Sequence, residues 1–584
     1  MCCKVTKKNR KFVKETPNLI TAKPKNPKNM KFFTTLAAAL LILCGCEHRK
    51  ADFTAIIPLP LSIDSLEGEP FVLEDNMVIG YAEGLEDNAT LLAEYVKEMT
   101  GITLTTKAGE GDIRLTLNEE QGHNPDGYNL LVTSQGVTIC GNSPAGNFYG
   151  CQTLRKALPV KDAGQEGAKY RVDIPATQIT DEPAFAYRGA HLDCSRHFFP
   201  AEFVKRYIDI LALHNINNFH WHLTDDQGWR IEIKSLPELA EKGSVRKKTV
   251  IRKQWGTYDN KPHTGYYTQE QAKDIVAYAA KRHINVIPEI DMPGHMVAAL
   301  HVYPELGCTG GPYEVWPTWG VATDVLCAGN PGTMDLIRNV LKEIVEVFPS
   351  HYIHIGGDEC PRDRWRECKT CQAFATKMGF KGEKREAQLQ NYIMSEAERY
   401  LAGFGREIIG WDEILEGDVS PTSTIMSWRG SDGGIEAARA AHKVIMTPND
   451  YCYFDHYQSP DQEENNDKEP FGNCCYVPLE KVYELTPCPA ELNEEESKYI
   501  LGPQCNVWTE YIHTPEHVEY MLLPRLAALS ESGWTKVKDF TDFERRLASL
   551  TRIYDTYDYC YRPRNEEAQK KMVDRINAGY EVKE

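Results

Sequence analysis

The stretch HIGGDE, His354 to Glu359, closes an apolar run with a glycine pair and two adjacent carboxylic acids. Acids at the end of a buried strand are the residue type that moves protons or steadies a developing cation. Other apolar runs along the chain end in a similar way. Arg196 follows the first, Asp225 and Asp226 the second, Asp291 and His295 the third. Trp411 follows the fifth, Trp428 the sixth, Tyr453 with Asp455 the seventh, and Trp508 with Glu510 the last. Carboxylates beside aromatic walls suit a sugar, whose C–H face stacks on a ring while its hydroxyls take hydrogen bonds. Taken singly, each Trp is also explained as a core aromatic and the acid pair as a solvated loop start. Neighbouring residues on an extended strand point opposite ways, so Asp358 and Glu359 are not expected to flank one glycosidic bond. An ordinary retaining glycosidase places its two carboxyls about 5–5.5 Å apart across that bond. The tandem therefore implies two different tasks, or a nucleophile on another strand such as Glu413 or Glu510.

The elements that position these residues read as a barrel. From Asp181 onward short apolar strands alternate with amphipathic helices: YRGAHLDCSRHF, NNFHWHLTDD, NVIPEIDMPGH, HYIHIGGDE, EIIGWDE, TIMSWRG, KVIMTPNDYCYFD and QCNVWTE. Eight such strands predict an α/β fold of the (β/α)₈ TIM barrel class, with its site at the carboxyl ends of the strands. In AEFVKRYIDILALHN, Phe203, Tyr207, Ile210 and Leu211 form the apolar stripe of an outer helix. Between EIIGWDE and TIMSWRG the intervening LEGDVSPTS is too short and too Pro-interrupted for a helix, so one outer helix is expected to be missing. Residues 52–180 read instead as a small α+β domain, and 181–584 as the barrel with C-terminal helices. Long segments after Met292 and Asp455 are predicted to be loops over the active face.

Net charge is −18 over 584 residues, and the first 45 carry ten Lys/Arg against one Glu, so the remaining body stands near −27. Such a body repels phosphate backbones and anionic lipid surfaces, which excludes nucleic acid as a partner class and leaves a neutral ligand. From Met30 the sequence MKFFTTLAAALLILCGCEHRK has the form of a signal peptide, with LCGC resembling a bacterial lipobox and Cys46 as the lipidated residue. Residues 1–46 are thus expected to be an extension and export signal, starting naturally at Met30, with an exported, lipid-anchored protein as the product. Of 18 cysteines only Cys360, Cys368 and Cys371 cluster, and a local disulfide, buried thiols or a metal site all remain open for them. His220 and His222 form an HxH at a strand end, as in metal-dependent barrel hydrolases. The fifth and sixth strands add no further His ligand.

HLDCSRHFF, NFHWHLTDD, IPEIDMPGH, HIGGDE, WDE and VWTE, in this order, resemble the family 20 glycoside hydrolases, the β-N-acetylhexosaminidases. GYNLLVTSQGVTICGNSPAGNFYGCQTL resembles that family's noncatalytic N-terminal domain. The resemblance implies exo-acting release of terminal β-linked N-acetylhexosamine by substrate-assisted catalysis, in which the sugar's own acetamido oxygen is the nucleophile, with no cofactor and no metal. It implies that Glu359 is the general acid and base, that Asp358 accepts the acetamido N–H, and that His295 and Asp225 support the acid. It further implies Tyr453 as donor to the acetamido oxygen, with Tyr451 the nearby alternative, and Arg196, Asp455 and Glu510 on the outer hydroxyls. Trp411, Trp428 and Trp508 would enclose the sugar and its methyl group. A donor must be protonated near neutral pH, so Asp358 and the tryptophans are expected to raise the Glu359 pKa. An ordinary double-displacement glycosidase and a sugar-binding lipoprotein without catalysis are the competing readings.

Overall fold

A computed structural model describes residues 47–120, 122–161, 170–417, 419–459 and 469–582. The signal segment and Cys46 lie outside the described residues. The small domain is a seven-stranded mixed sheet in the order Ser62–Ser65, Thr177–Asp181, Tyr128–Thr133, Gly136–Gly141, Ile113–Leu117, Val78–Tyr81, Thr105–Ala108. Alternating burial along Tyr128–Thr133 and Thr177–Asp181 gives each strand one core face. Helices Glu86–Thr100 and Pro144–Ala157 cover the core with Leu92, Val96, Phe148 and Leu154. Ser143 starts the second helix by accepting the N–H groups of Ala145 and Gly146, with Pro144 in the first turn.

Eight parallel strands then close a barrel in chain order: β1 (Gly189–Asp193), β2 (Asn218–His222), β3 (Asn285–Met292), β4 (Tyr352–Gly356), β5 (Glu407–Trp411), β6 (Thr424–Ser427), β7 (Val444–Met446) and β8 (Ile500–Val507). The predicted outer helix is present at Ala201–Leu213, with Phe203, Tyr207, Ile210 and Leu211 all buried, and further outer helices run at Gln269–Ala280 and Pro331–Val347. Thr268 and Gln271 form a reciprocal capping box at the start of the second of these helices. Between β5 and β6 the described residues hold only a 3-10 turn, Asp412–Glu416, in place of an outer helix. The small domain is fixed to the barrel by buried polar contacts. Asp181 accepts Tyr128 Oη at 2.7 Å and Trp534 Nε1 at 3.0 Å, and Arg188 pairs with Asp126 at 2.9 Å.

The register of β2, β3 and β4 decides which polar side chains meet inside the barrel. His222 lies beside Glu289, and Glu289 beside His354, before a β-bulge shifts the pairing between Glu289 and Met292. After the bulge, Asp291 Oδ1 accepts the Gly357 N–H at 3.3 Å. Gly356 and Gly357 both have left-handed φ, +66° and +96°. A Cβ on Gly356 would stand 1.6 Å from Asp291 Oδ1, and one on Gly357 would stand 2.6 Å from Ile414. The glycine pair is therefore what allows the chain to turn directly under Asp291.

Gly356→Ala is expected to lower the melting temperature sharply, because it adds a clash with a buried carboxyl to the left-handed penalty. Gly310→Ala is the control, having a similar φ of +72° and open space around its Cβ. It is expected to cost only about 1 kcal/mol. Equal shifts for the two variants in thermal denaturation would refute the clash.

Candidate active site

Glu289 is the deepest carboxylate of the site and is fully buried within the barrel. Its Oε1 accepts Trp411 Nε1 at 2.9 Å and lies 3.0 Å from His354 Nδ1. Its Oε2 bonds His222 Nδ1 and lies 3.1 Å from His220 Nε2. Burial pushes the His220 imidazole down to about 4, so it is neutral, whereas His222 overcomes the same burial through Glu289 and Asp225 and stands well above its ordinary value. The HxH pair thus surrounds a carboxylate, with the third partner, His354, on β4.

From His222 the polar chain runs outward. His222 Nε2 is 2.9 Å from Asp225 Oδ2, and Asp225 Oδ1 is 3.2 Å from His295 Nδ1. Asp225 sits in a tight hairpin, Thr224–Asp225 against Gly228–Trp229. Burial acts to raise its pKa, but Arg196 and His295 outweigh it and hold the carboxyl far below the usual range. His295 is likewise held well above its ordinary value, its desolvation offset by Asp225, so it is a buried cation. Asp226 braces the same loop, accepting the N–H groups of Val297 at 3.1 Å and Ala322 at 3.3 Å.

The tandem acids meet this cation. Asp358 Oδ2 and Glu359 Oε2 are each 3.7 Å from His295 Nε2. The sequence-based expectation that they diverge is corrected here. β4 ends at Gly356, so both acids lie beyond the pleat, and Glu359 has a left-handed φ of +45° that turns its side chain back beside its neighbour's. His295 is left-handed too, at φ +52°. Two strained non-glycine residues facing each other are characteristic of a functional site, each costing about 1 kcal/mol. Gln390 Nε2 holds the turn by donating to Gly357 O at 2.7 Å.

The expected rise in the Glu359 pKa is also corrected. His295 holds Glu359 below its ordinary value in the free protein, and the carboxylate is 41% exposed, so water still stabilises its charge. Asp358 is the acid that is raised, to about 6, chiefly by burial, against the pull of His295. The repulsion between neighbours falls on the more buried partner.

The aromatic residues form one group. Trp508 lies 5.9 Å from Trp411 and 6.4 Å from Tyr453, and Tyr453 stacks on Trp428 at 6.0 Å. Tyr451 lies instead in the short helix Asn449–Cys452 under Lys481, which settles the tyrosine that joins the box as Tyr453. Burial raises the Tyr453 hydroxyl well above its ordinary value, leaving it a proton donor. Trp428 Nε1 donates to Glu413 Oε2 at 2.9 Å, and burial lifts the Glu413 carboxyl to about 8. Arg196 passes over Trp508 at 5.0 Å and holds Asp225 at 2.9 Å and Gln227 at 2.9 Å, with Glu510 3.8 Å away. Burial raises Asp455 and Glu510 each to about 7. Asp358 Oδ1, Asp455 Oδ1 and Glu510 Oε2 are buried oxygens without a hydrogen-bond partner among the described residues.

Sequence reasoning missed Glu289, Gln227 and Asp193, which anchors Thr509 N at 3.1 Å and Arg196 at 3.4 Å. The available signal was a glutamate in the middle of the apolar strand IPEID, where a charge must be paired to be buried. The geometry of residues 185–537 has counterparts. That range matches the family described as "Glycosyl hydrolase family 20, catalytic domain", and residues 54–182 match "Glycosyl hydrolase family 20, domain 2". The chain is 44% identical over 506 residues to a beta-hexosaminidase of Porphyromonas gingivalis, covering 84% of this chain and 62% of that one. It is 36% identical over 484 residues to a beta-hexosaminidase of Vibrio furnissii, covering 82% and 76%. The chain thus spans under two thirds of the first relative's length and about three quarters of the second's. Among solved structures it superposes on the GH20 exo β-N-acetylglucosaminidase of Vibrio harveyi with TM-score 0.76 at 31% identity, covering 88% of this chain and 79% of that one. The GH20 β-N-acetylhexosaminidase of Streptomyces coelicolor gives TM-score 0.74 at 31% identity, covering 88% and 98%. With its catalytic and accessory domains both matched in order, and with the adjacent acids at the end of the fourth strand of a closed eight-stranded barrel, the chain belongs to glycoside hydrolase family 20.

Proposed function

We propose that the chain is an exo-acting β-N-acetylhexosaminidase, cleaving terminal β-linked N-acetylhexosamine from glycans with retention of configuration, and that the substrate's acetamide is the nucleophile. The observation that carries the reading is the pair of adjacent acids sharing one imidazolium, one carboxyl buried and the other open, beside the aromatic box. Glu359, the open one, protonates the leaving oxygen as the C1–O bond breaks. The acetamido carbonyl oxygen closes onto C1 to give an oxazolinium ion. Asp358, buried beside His295, accepts the amide N–H and balances the positive charge of that ring. Tyr453 donates to the acetamido oxygen, and Asp455, Glu510 and Arg196 take the outer hydroxyls. Water deprotonated by Glu359 then opens the ring at C1. Glu413 is a poor enzyme nucleophile because a carboxyl held near 8 is protonated at neutral pH.

The proton for Glu359 is supplied on binding. A sugar over the half-exposed carboxylate removes its water, and an amide N–H on Asp358 favours the anion there, so the two pKa values move in opposite directions. We propose further that the LCGC segment directs export and that Cys46 carries the lipid, on the support of the basic residue, apolar run and small residues before it.

Glu359→Gln is expected to lower kcat on the order of 10²–10⁴-fold on substrates with poor leaving groups. Asp358→Asn is expected to lose activity comparably while also losing inhibition by an N-acetylglucosamine thiazoline, which mimics the cyclic ion. Turnover near wild type in Asp358→Asn would refute the assisted route. Because the productive complex needs one proton on the acid pair, and the free protein holds that proton on Asp358 with a pKa of about 6, kcat/KM is expected to fall as pH rises above about 6. That alkaline limb should move in whatever residual activity Asp358→Asn retains, and an unchanged limb would assign it to another group. Labelling with radioactive palmitate should mark the wild-type chain in its host and not Cys46→Ser; an unlabelled wild type would remove the anchor.

A further inference from the structure

Cys360 stands apart from the cysteines that sequence proximity groups with it. Its half-buried thiol is no part of the sulfur cluster that the fold assembles from Cys308, Cys327, Cys368 and Cys371, all of whose Sγ atoms lie within 4.8 Å of one another. Cys327 Sγ is 3.4 Å from Cys371 Sγ and 3.8 Å from Cys368 Sγ, and Cys308 Sγ is 3.7 Å from Cys371 Sγ. A tetrahedral zinc with bonds of about 2.3 Å to four thiolates holds neighbouring sulfurs about 3.8 Å apart. Three of the six edges are near that length, the others lie within 4.8 Å, and none approaches the length of a disulfide.

The surroundings are built for anionic sulfur. Cys368 precedes and Cys371 falls within the first turn of the helix Lys369–Met378, where free N–H groups favour thiolates. The other two ligands come from the long segment after β3. There Gly307 and Leu326 pair across an antiparallel bridge, which ties together the two stretches that carry Cys308 and Cys327, each one residue beyond a bridge position. Gly329 has backbone so close to the CxxC turn that a Cβ would lie 2.4 Å from Thr370 O. Its N–H faces the Cys327 and Cys371 sulfurs. Two Cys pairs from separate segments, one of them a CxxC at a helix start, form the ligand pattern of a structural zinc site.

We propose that Cys308, Cys327, Cys368 and Cys371 bind one structural zinc ion, or a metal of the same thiolate-seeking class. The ion would staple the segment that carries His295 to the segment that carries Glu359. Leu326 N already donates to Pro293 O in the loop of His295, and Trp365 Nε1 donates to Leu326 O from the segment after Glu359. The metal would be a positioning element behind the site, outside the reaction itself, and independent of the glycosidase reading.

The full chain, purified without chelator, is expected to carry one zinc per molecule by elemental mass spectrometry. Cys327→Ser and Cys371→Ser should lose it and melt at lower temperature, while Cys360→Ser keeps it. Cobalt exchanged into the unmutated protein keeps the test open if those variants fail to fold. Thiolate-to-cobalt charge-transfer bands with intense tetrahedral d–d bands are expected. A chain with no metal whose four sulfurs map as two disulfides by non-reducing peptide analysis would overturn the proposal. Cobalt spectra without charge transfer, or metal lost from Cys360→Ser, would do so equally.

Discussion

The site rests on a buried alternation of carboxylates and imidazoles: Glu289, His222, Asp225, His295, and then the adjacent pair Asp358 and Glu359. Each charged member would be costly alone in a barrel interior, where an unpaired ion is strongly disfavoured. Each is instead flanked by the opposite sign, with Arg196 adding a contact to Asp225 and the Trp411 indole one to Glu289. Removing one member would leave its neighbours as unpaired buried charges. This network replaces the layers of Val, Ile and Leu that usually fill such a barrel, and the apolar residues Ile287, Ile409, Met426 and Ile445 are confined to a smaller cluster.

That constraint accounts for the local backbone. Asp225 must approach His295, and His295 must point at the end of β4, so His295 and Glu359 both accept left-handed conformations that other parts of the fold hold in place. The bulge on β3 aims Asp291 at the glycine turn, and only glycine at 356 leaves room for its carboxyl. The strain is distributed over two segments that pack on each other. Contacts such as Arg364 with Asp324 at 2.7 Å join them well beyond the site.

The barrel was legible because each strand is a short apolar run ended by a polar residue, and because the outer helices carry one apolar stripe each. The strand-end residues Arg196, Asp225, His295, Asp358, Glu359, Tyr453, Trp508 and Glu510 could be chosen for the same reason. Glu289 could not, since a residue chosen for ending a strand is a different signal from one buried in its middle. The mutual orientation of Asp358 and Glu359 was also hidden, because the pleat argument holds only while the strand continues and β4 stops two residues earlier. Nor does sequence tell which of two adjacent acids is shielded from water. That difference, with Asp358 buried and Glu359 open, reverses the simple expectation for the donor's pKa.

The reversal bears on why two acids with no spacer are useful. Both face one imidazolium, so a proton or a charge gained by one is felt by the other through a single shared partner. In the free protein the buried Asp358 is the easier to protonate and the open Glu359 keeps its charge. A ligand that donates an N–H to Asp358 and covers Glu359 changes both environments at once, stabilising the anion on the first and destabilising it on the second. On the proposed reading, the state with Asp358 ionised and Glu359 protonated is therefore reached only with an acetamido sugar in place. A sugar without the amide would cover Glu359 and leave Asp358 as it was, so the same two carboxyls that perform the chemistry also discriminate in favour of the substrate able to assist it.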